Sequence, residues 1–478
     1  MKRIIPIVFL LTLSFSFLQA QSIVSVDFLE HRTKASLVTD FGSFIQFGAD
    51  LYRVTYETPD IYGVIDTASG LYVYPVAEAN DRIFPMLIYQ HGTVGSRDDV
   101  PSELMGGYEL ALFWAGVGFA TTAADFLGLG TSRGFHPYVH SRTEASAAID
   151  FHLAAKEYSQ DNGLFINDQL FVTGYSQGGH GAAAAQKMIQ EEYAGQLTVT
   201  ASAPMSGPYS ISGVMRDLML GDDPYFFVGY APYSVMSYNL DYNIYTETNE
   251  IFKEPVATWA QQFYDEEIDL WTLNDNLIDW LTTNYGGSIP KYMFQDSIID
   301  LVENDPDHPI NQGLRDNDLI NWGPTSPTRL LYCMADDQVP FINSVVARDS
   351  MLAAGAIDLQ ILDVNSDADH GECVNPAVTF GYFFFLTFQD IGFILNNVEL
   401  DRKLQFRVVP NPARDHLTIN FENGFQDFER IELLSLNGQS LRTINNQTSI
   451  NLNGLAKGIY FVKVTAEEGV WIEKVIVQ

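Results

Sequence analysis

Between residues 51 and 364 the chain alternates short apolar or strictly alternating stretches with longer segments of helical pattern. "LYRVTYE" (51–57) and "GLYVYPV" (70–76) alternate and carry β-branched and aromatic residues, the pattern of half-buried strands. "FPMLIYQHG" is continuously apolar from Phe84 to Tyr89, which suits a strand buried on both faces of a parallel sheet. The same type recurs at 118–126 (GFATTAADF), 170–174 (LFVTG), 197–204 (LTVTASAP), 329–335 (RLLYCMA) and 358–364 (DLQILDV). Between these strands, residues 143–158, 179–193 and 340–354 read as helices. Strands and helices in alternation predict an α/β fold, a mostly parallel sheet with helices on both faces.

Two segments break this rhythm. Residues 207–325 are rich in Tyr, Trp, Asp and Asn, with about twenty acids against three bases between Asp217 and Asp318. Within them, "TWAQQFYDEEIDLWTLNDNLIDWL" spaces its apolar residues as a helix does. A helical insertion between two strands of such a sheet usually caps the active site. After about residue 398 the pattern becomes short alternating strands (LTINF, RIELLSL, GIYFVKV, WIEKVIV) separated by turns such as "NG". The expected organisation is an α/β domain over 21–397, a linker at 398–404 and a small β-sandwich over 405–478.

Composition narrows the class. With 478 residues, 46% of them apolar, the chain can bury a large core and exceeds the usual size of one domain. Its formal net charge of −34 argues against nucleic acid or an anionic bilayer as partner. At the N-terminus, Lys2 and Arg3 precede the apolar run "IIPIVFLLTLSFSF", and Ala20 in "LQAQS" offers a cleavage site. This predicts a signal peptide over 1–20, the apolar run being short for a membrane span. No other stretch approaches transmembrane length, so the mature protein is expected to be extracytoplasmic. The two cysteines, Cys333 and Cys373, can then form one disulfide or remain two buried thiols.

Gly-x-Ser-x-Gly occurs twice, as Gly130-Thr-Ser132-Arg-Gly134 and Gly174-Tyr-Ser176-Gln-Gly178. The pattern has a mechanical meaning only between a strand and a helix, where a strained turn lifts the serine above the sheet. Pro137 prevents a helix from beginning just after the first match. The second follows "LFVT" and runs into "GHGAAAAQKMIQEE", so Ser176 is the candidate nucleophile and Ser132 a structural residue. The base should follow in the chain order Ser, acid, His. His370 in "DADHGE" stands directly after the strand "DLQILDV", and is the candidate. The strand before it ends in "CMADDQVP", which offers Asp336 and Asp337. In "QHGT" (90–93), a glycine allows the turn that aims the next amide at a developing oxyanion; Thr93 and Gln177 would be the two backbone donors. His91 is expected to stabilise that loop, and His180 to pack inside its helix. No metal or organic cofactor is called for.

Here the sequence resembles the α/β-hydrolases, in which an acid commonly stands shortly before Val-Pro, as in Asp336-Asp337-Gln338-Val339-Pro340. The resemblance implies Asp336 as the acid, with Asp337 as the alternative. Residues 50–397 are similar to the secretory lipases in "VTYETPDIYG", "LIYQHGT", "DFLGLGTSRGFHPY", "GYSQGGHGAA" and "DHGEC". That likeness implies hydrolysis of carboxylic esters, some members of the family acting on triacylglycerols. The tail resembles a type IX secretion sorting domain in "VVPNPARDHLTINF", "LLSLNGQSL", "GLAKGIYFVKV" and "KVIVQ". It implies the type IX machinery as a partner, and passage through the periplasm to the medium or cell surface.

The leading expectation is therefore a secreted serine esterase or lipase using Ser176, Asp336 and His370. A peptidase of the same fold and a binding protein without catalysis are the alternatives. The first lacks the blade-length repeats its relatives often carry, and the second would lack a triad member. In the triad geometry the acid and base loops must approach, so a Cys333–Cys373 bridge would staple them together.

Overall fold

The computed structural model describes residues 22–78, 82–393, 406–421, 428–435, 439–445, 447–466 and 469–478. The expected signal peptide at 1–20 and linker at 398–404 lie outside the described residues. The chain divides into two compact units, Met1–Phe393 and Ile394–Gln478.

The first unit is built on one sheet. Its strands are β1 (Ile23–Arg32), β2 (Gly48–Pro59), β3 (Ile65–Val76), β4 (Arg82–Gln90), β5 (Ala120–Ala124), β6 (Ile166–Tyr175), β7 (Val199–Met205), β8 (Thr328–Tyr332) and β9 (Leu359–Asp363), in the order β1-β2-β3-β5-β4-β6-β7-β8-β9. The pairs from β5 through β9 are parallel and those from β1 to β5 antiparallel. A two-residue strand, Gly392–Phe393, also pairs with the start of β4. The mostly parallel α/β sheet expected from the apolar runs is present. β1 has no counterpart in the sequence reading, because at the sheet edge its residues are either half-buried or exposed and no apolar run marks it.

Both faces of the parallel strands are covered, and successive residues divide between them as a pleated strand requires. Leu87, Phe171 and Leu331 pack on one face with Trp114, Tyr382 and Phe385 from the helices Tyr108–Gly116 and Val374–Leu386. Their neighbours Ile88, Val172 and Leu330 pack on the other with Ile149, Ala185 and Ala347 from three further helices. Continuous apolar runs were therefore the right signature of doubly buried strands.

Between β7 and β8 the chain leaves the sheet and forms a set of helices with an apolar core of its own, including Tyr238, Phe252, Leu273 and Leu277. The stretch expected to be one helical region is two helices, Val256–Tyr264 and Leu270–Tyr285. Glu266 adopts φ 60° and Asp269 caps the second helix by accepting from the Thr272 amide at 2.7 Å. The run "DEEID" thus ends one helix and starts the next, as a capping acid should.

The second unit is all-β. Strands Phe406–Val409, His416–Phe421 and Ser449–Asn451 form one antiparallel sheet, and Phe428–Leu434, Ser440–Ile444, Gly458–Ala466 and Gly469–Val477 form another. Leu417, Ile431, Val462, Val464 and Val475 are buried together in its core.

Candidate active site

β6 ends at Tyr175 and a helix, Gln177–Glu192, begins two residues later; Ser176 makes the turn between them with φ 60° and ψ −121°. A non-glycine residue in that conformation costs on the order of 1–3 kcal/mol and persists only where the surroundings enforce it. The flanking glycines supply the room. A Cβ on Gly174 would fall 2.1 Å from the Gly178 carbonyl oxygen, and one on Gly178 would fall 1.9 Å from that of Gln90. The Ser176 amide donates to the Met205 carbonyl at 2.9 Å, tying the turn to the end of β7.

His370 lies on the loop after β9, and its Nε2 is 2.9 Å from Ser176 Oγ. Its Nδ1 is 2.9 and 2.8 Å from the two carboxylate oxygens of Asp336, on the loop after β8. A carboxylate facing Nδ1 holds the hydrogen there, so Nε2 presents a lone pair to the serine hydroxyl. Asp336 Oδ1 also accepts from the amides of Gln338 and Val339 at 3.0 and 2.8 Å, which fixes the carboxylate. Asp337 touches the backbone instead, accepting from the His370 amide at 3.2 Å. Tyr175 donates its hydroxyl to the His370 carbonyl at 2.5 Å. Neither the Tyr175 contact nor the Asp337 contact was expected from the sequence.

The two loops are also joined covalently. Cys333 and Cys373 form a disulfide across a sequence separation of 40, with their Cα atoms 5.9 Å apart.

Ser132 is elsewhere in its contacts. Its hydroxyl donates to Asp66 at 2.7 Å and accepts from the Gly128 amide at 2.8 Å, so the first Gly-x-Ser-x-Gly braces a buried loop. Of the oxyanion candidates, Thr93 follows Gly92, where a Cβ would stand 3.9 Å from the Ser176 Cβ. The Thr93 hydroxyl is paired with Tyr138 Oη at 2.9 Å. Gln177 is the first residue of the helix after the serine, where backbone amides lack intrahelical partners and favour negative charge. His91 is fully buried, packs its ring with the centroid 4.4 Å from that of Phe126 at a tilt of 44°, and holds the Gly92 carbonyl through Nδ1 at 2.8 Å. Burial pushes its pKa down, so it stays neutral. His180 is likewise buried inside its helix.

Ser176 and Gln177 open into an apolar pocket whose walls include Val139, Ile211, Met219, Val235 and Ile298. The stretch 224–248 is divided between two duties: Tyr230, Ala231 and Val235 line the pocket, while Phe227, Met236 and Tyr238 fill the core of the insertion. No group of three or more His, Cys, Asp or Glu side chains placed to hold a metal occurs among the described residues. No helix among them is long and apolar enough to cross a membrane.

A serine lifted on a strained turn out of the central strands of this sheet places the fold among the α/β-hydrolases. Solved structures agree. The rice cell wall degrading esterase LipA of Xanthomonas oryzae is 25% identical, covering 75% of this chain and 94% of its own, with a TM-score of 0.66. A putative hydrolase of Legionella pneumophila is 26% identical, covering 77% and 98%, with a TM-score of 0.68. Candida antarctica lipase A in its closed state shares the fold at 14% identity, covering 77% and 83%, with a TM-score of 0.54. The secretory lipase profile matches residues 111–377, and the chain belongs to that family. Residues 407–478 match the secretion system C-terminal sorting domain. A search of curated protein sequences returns no match. The protein is thus a carboxylic ester hydrolase with a type IX sorting tail, secreted or held at the cell surface.

Proposed function

We propose that Ser176, His370 and Asp336 form a catalytic triad that cleaves esters of lipophilic carboxylic acids through an acyl-enzyme. Ser176 Oγ attacks the acyl carbon while its proton passes to His370 Nε2. The carbonyl oxygen becomes an oxyanion facing the backbone amides of Thr93 and Gln177. Collapse of this adduct expels the alcohol, which takes the proton from His370. A water, deprotonated by the same nitrogen, then attacks the acyl-enzyme; the acid leaves and the proton returns to Ser176. Asp336 holds the imidazole in the required tautomer and faces the positive charge that develops on it.

The observation that carries this reading is the Nε2–Oγ distance of 2.9 Å with Nδ1 bound to Asp336. The apolar pocket beside Ser176 supports an acyl chain rather than a peptide side chain as its occupant, and no cofactor enters the scheme. The domain reading accompanies it: a signal peptide over 1–20, a hydrolase over 21–397 capped by about 207–325, a linker at 398–404, and a sorting domain over 405–478. The test is labelling of purified enzyme with a fluorophosphonate. The wild type should label once, and Ser176→Ala should neither label nor hydrolyse p-nitrophenyl esters. A panel of rising acyl length, run with and without a lipid–water interface, separates lipase from esterase; peptide anilides should remain uncleaved.

A further inference from the structure

Beside the proposed nucleophile lies a buried charged network that the scheme above does not use. Glu144 is 1% and His180 0% exposed. Glu144 Oε2 is 2.7 Å from His180 Nδ1, and His180 Nε2 is 2.9 Å from the Asn317 carbonyl. A carbonyl only accepts, so Nε2 carries a hydrogen. The one remaining proton is shared between Nδ1 and Glu144, and the pair has no net charge whichever side holds it. The other carboxylate oxygen, Glu144 Oε1, accepts from Gln177 Nε2 at 3.0 Å. The second hydrogen of that carboxamide meets His136 Nε2 at 2.8 Å. His136 Nδ1 donates to the Leu127 carbonyl at 2.7 Å, which leaves Nε2 as an acceptor. Burial keeps it neutral, with a pKa pushed down to about 4. Both hydrogens of the Gln177 carboxamide are thus held by acceptors anchored on two other segments.

We propose that Glu144 is a positioning residue, acting through the Gln177 side chain to hold the Gln177 backbone N–H where the oxyanion develops. The proposal rests on the reading of Ser176 as nucleophile. Gln177 directly follows a residue at φ 60°, a conformation that must be enforced from outside. The Ser176 carbonyl, in the same peptide plane as the Gln177 N–H, accepts from the Gly179 and His180 amides at 2.8 and 3.2 Å. The clamped side chain adds a second restraint, opposing the remaining rotation at Gln177 itself. A buried ion pair contributes little net stability against an apolar replacement, so stability alone gives weak reason for placing one against this residue. Displacement of a reacting group by about 1 Å can cost on the order of a hundredfold in rate.

The experiment measures kcat and KM on a p-nitrophenyl ester, and inhibition by an alkyl boronic acid that forms a tetrahedral anion on serine. Gln177→Ala keeps the backbone N–H, yet kcat should fall about ten- to a hundredfold, with KM changed by less than about twofold. Boronate affinity should fall in the same proportion. Glu144→Ala should behave alike, and the double variant should be no worse than either single one. Glu144→Gln should recover most of the loss, since its oxygen still accepts from Gln177 and its NH₂ can donate to a neutral His180. A folded Gln177→Ala with wild-type kcat and boronate affinity overturns the clamp, and decides the matter alone if Glu144→Ala does not fold. In that event a dead Ser176→Ala leaves the proposed function standing; an active Ser176→Ala removes both.

Discussion

Replacing Asp336 and Asp337 separately by Asn distinguishes the orienting acid from its neighbour by a wide margin. Asp336 accepts three hydrogen bonds, from His370 Nδ1 and from the amides of Gln338 and Val339. In Asp336→Asn the carboxamide oxygen stays with the two amides, which cannot do without an acceptor, and the NH₂ turns toward His370. An N–H facing Nδ1 demands a lone pair there, which moves the imidazole hydrogen to Nε2. That nitrogen can then no longer take the proton of Ser176. A wrong tautomer of this kind lowers kcat by about 10⁴, equivalent to about 5.5 kcal/mol of transition-state stabilisation. Asp337 makes one hydrogen bond to the His370 amide at 3.2 Å. Asn can still accept it, so Asp337→Asn should cost at most about 1 kcal/mol, a factor of about five. Steady-state hydrolysis of a p-nitrophenyl ester near neutral pH, with urea midpoints to show that both variants are folded, reads the ratio directly. The two losses should differ by about a thousandfold. Comparable losses, or a larger one at Asp337, would refute the assignment.

Ser132→Ala should leave most activity, while the unpaired Gly128 amide and the loss of one donor to Asp66, which keeps the Arg133 amide, lower stability by about 1–3 kcal/mol in urea titrations; an inactive but folded variant would point to the wrong serine. Cys373→Ser should lower activity and stability together, since the chain-entropy estimate for a bridge separated by 40 residues is about 4 kcal/mol. The mature enzyme, unfolded without reductant, should titrate no thiol, and finding two would reject the staple. Deleting 405–478 should leave an active esterase that accumulates in the periplasm of its host; normal extracellular amounts would remove the sorting role from the tail. His136 and His152 are buried, with pKa values pushed by burial from 6.5 down to about 4 and about 3. The unfolded chain binds these protons at a higher pH than the folded one, so stability should fall as pH drops from about 6.5 toward 4. Urea midpoints across that range should shift downward, and a flat profile in which His152→Gln changes nothing would exclude the contribution.

The sheet and the strand-to-helix turn were legible because both are written locally. Doubly buried strands favour apolar residues at successive positions, as from Phe84 to Tyr89, with an occasional small hydroxyl such as Thr121 or Thr122, and a strained serine needs small residues two places away on each side. The choice between Ser132 and Ser176 was equally local, since Pro137 forbids a helix after the first and nothing forbids one after the second. Candidate residues on loops could be proposed from chain order, because each follows a parallel strand whose end faces the same side of the sheet. Pairing them was another matter. Asp336 and Asp337 are adjacent and chemically identical, and only the fold shows that one meets the His370 ring and the other its backbone. The clamp on Gln177 draws on Leu127, His136, Glu144, His180 and Asn317, which no periodicity brings together. One trace of it was present: Glu144 stands on the buried face of its helix with Ala148, Phe151 and Ala155, where a charge requires a partner. Which partner depends on contacts between residues more than thirty positions apart, and those exist only once the sheet has brought its loops to one edge.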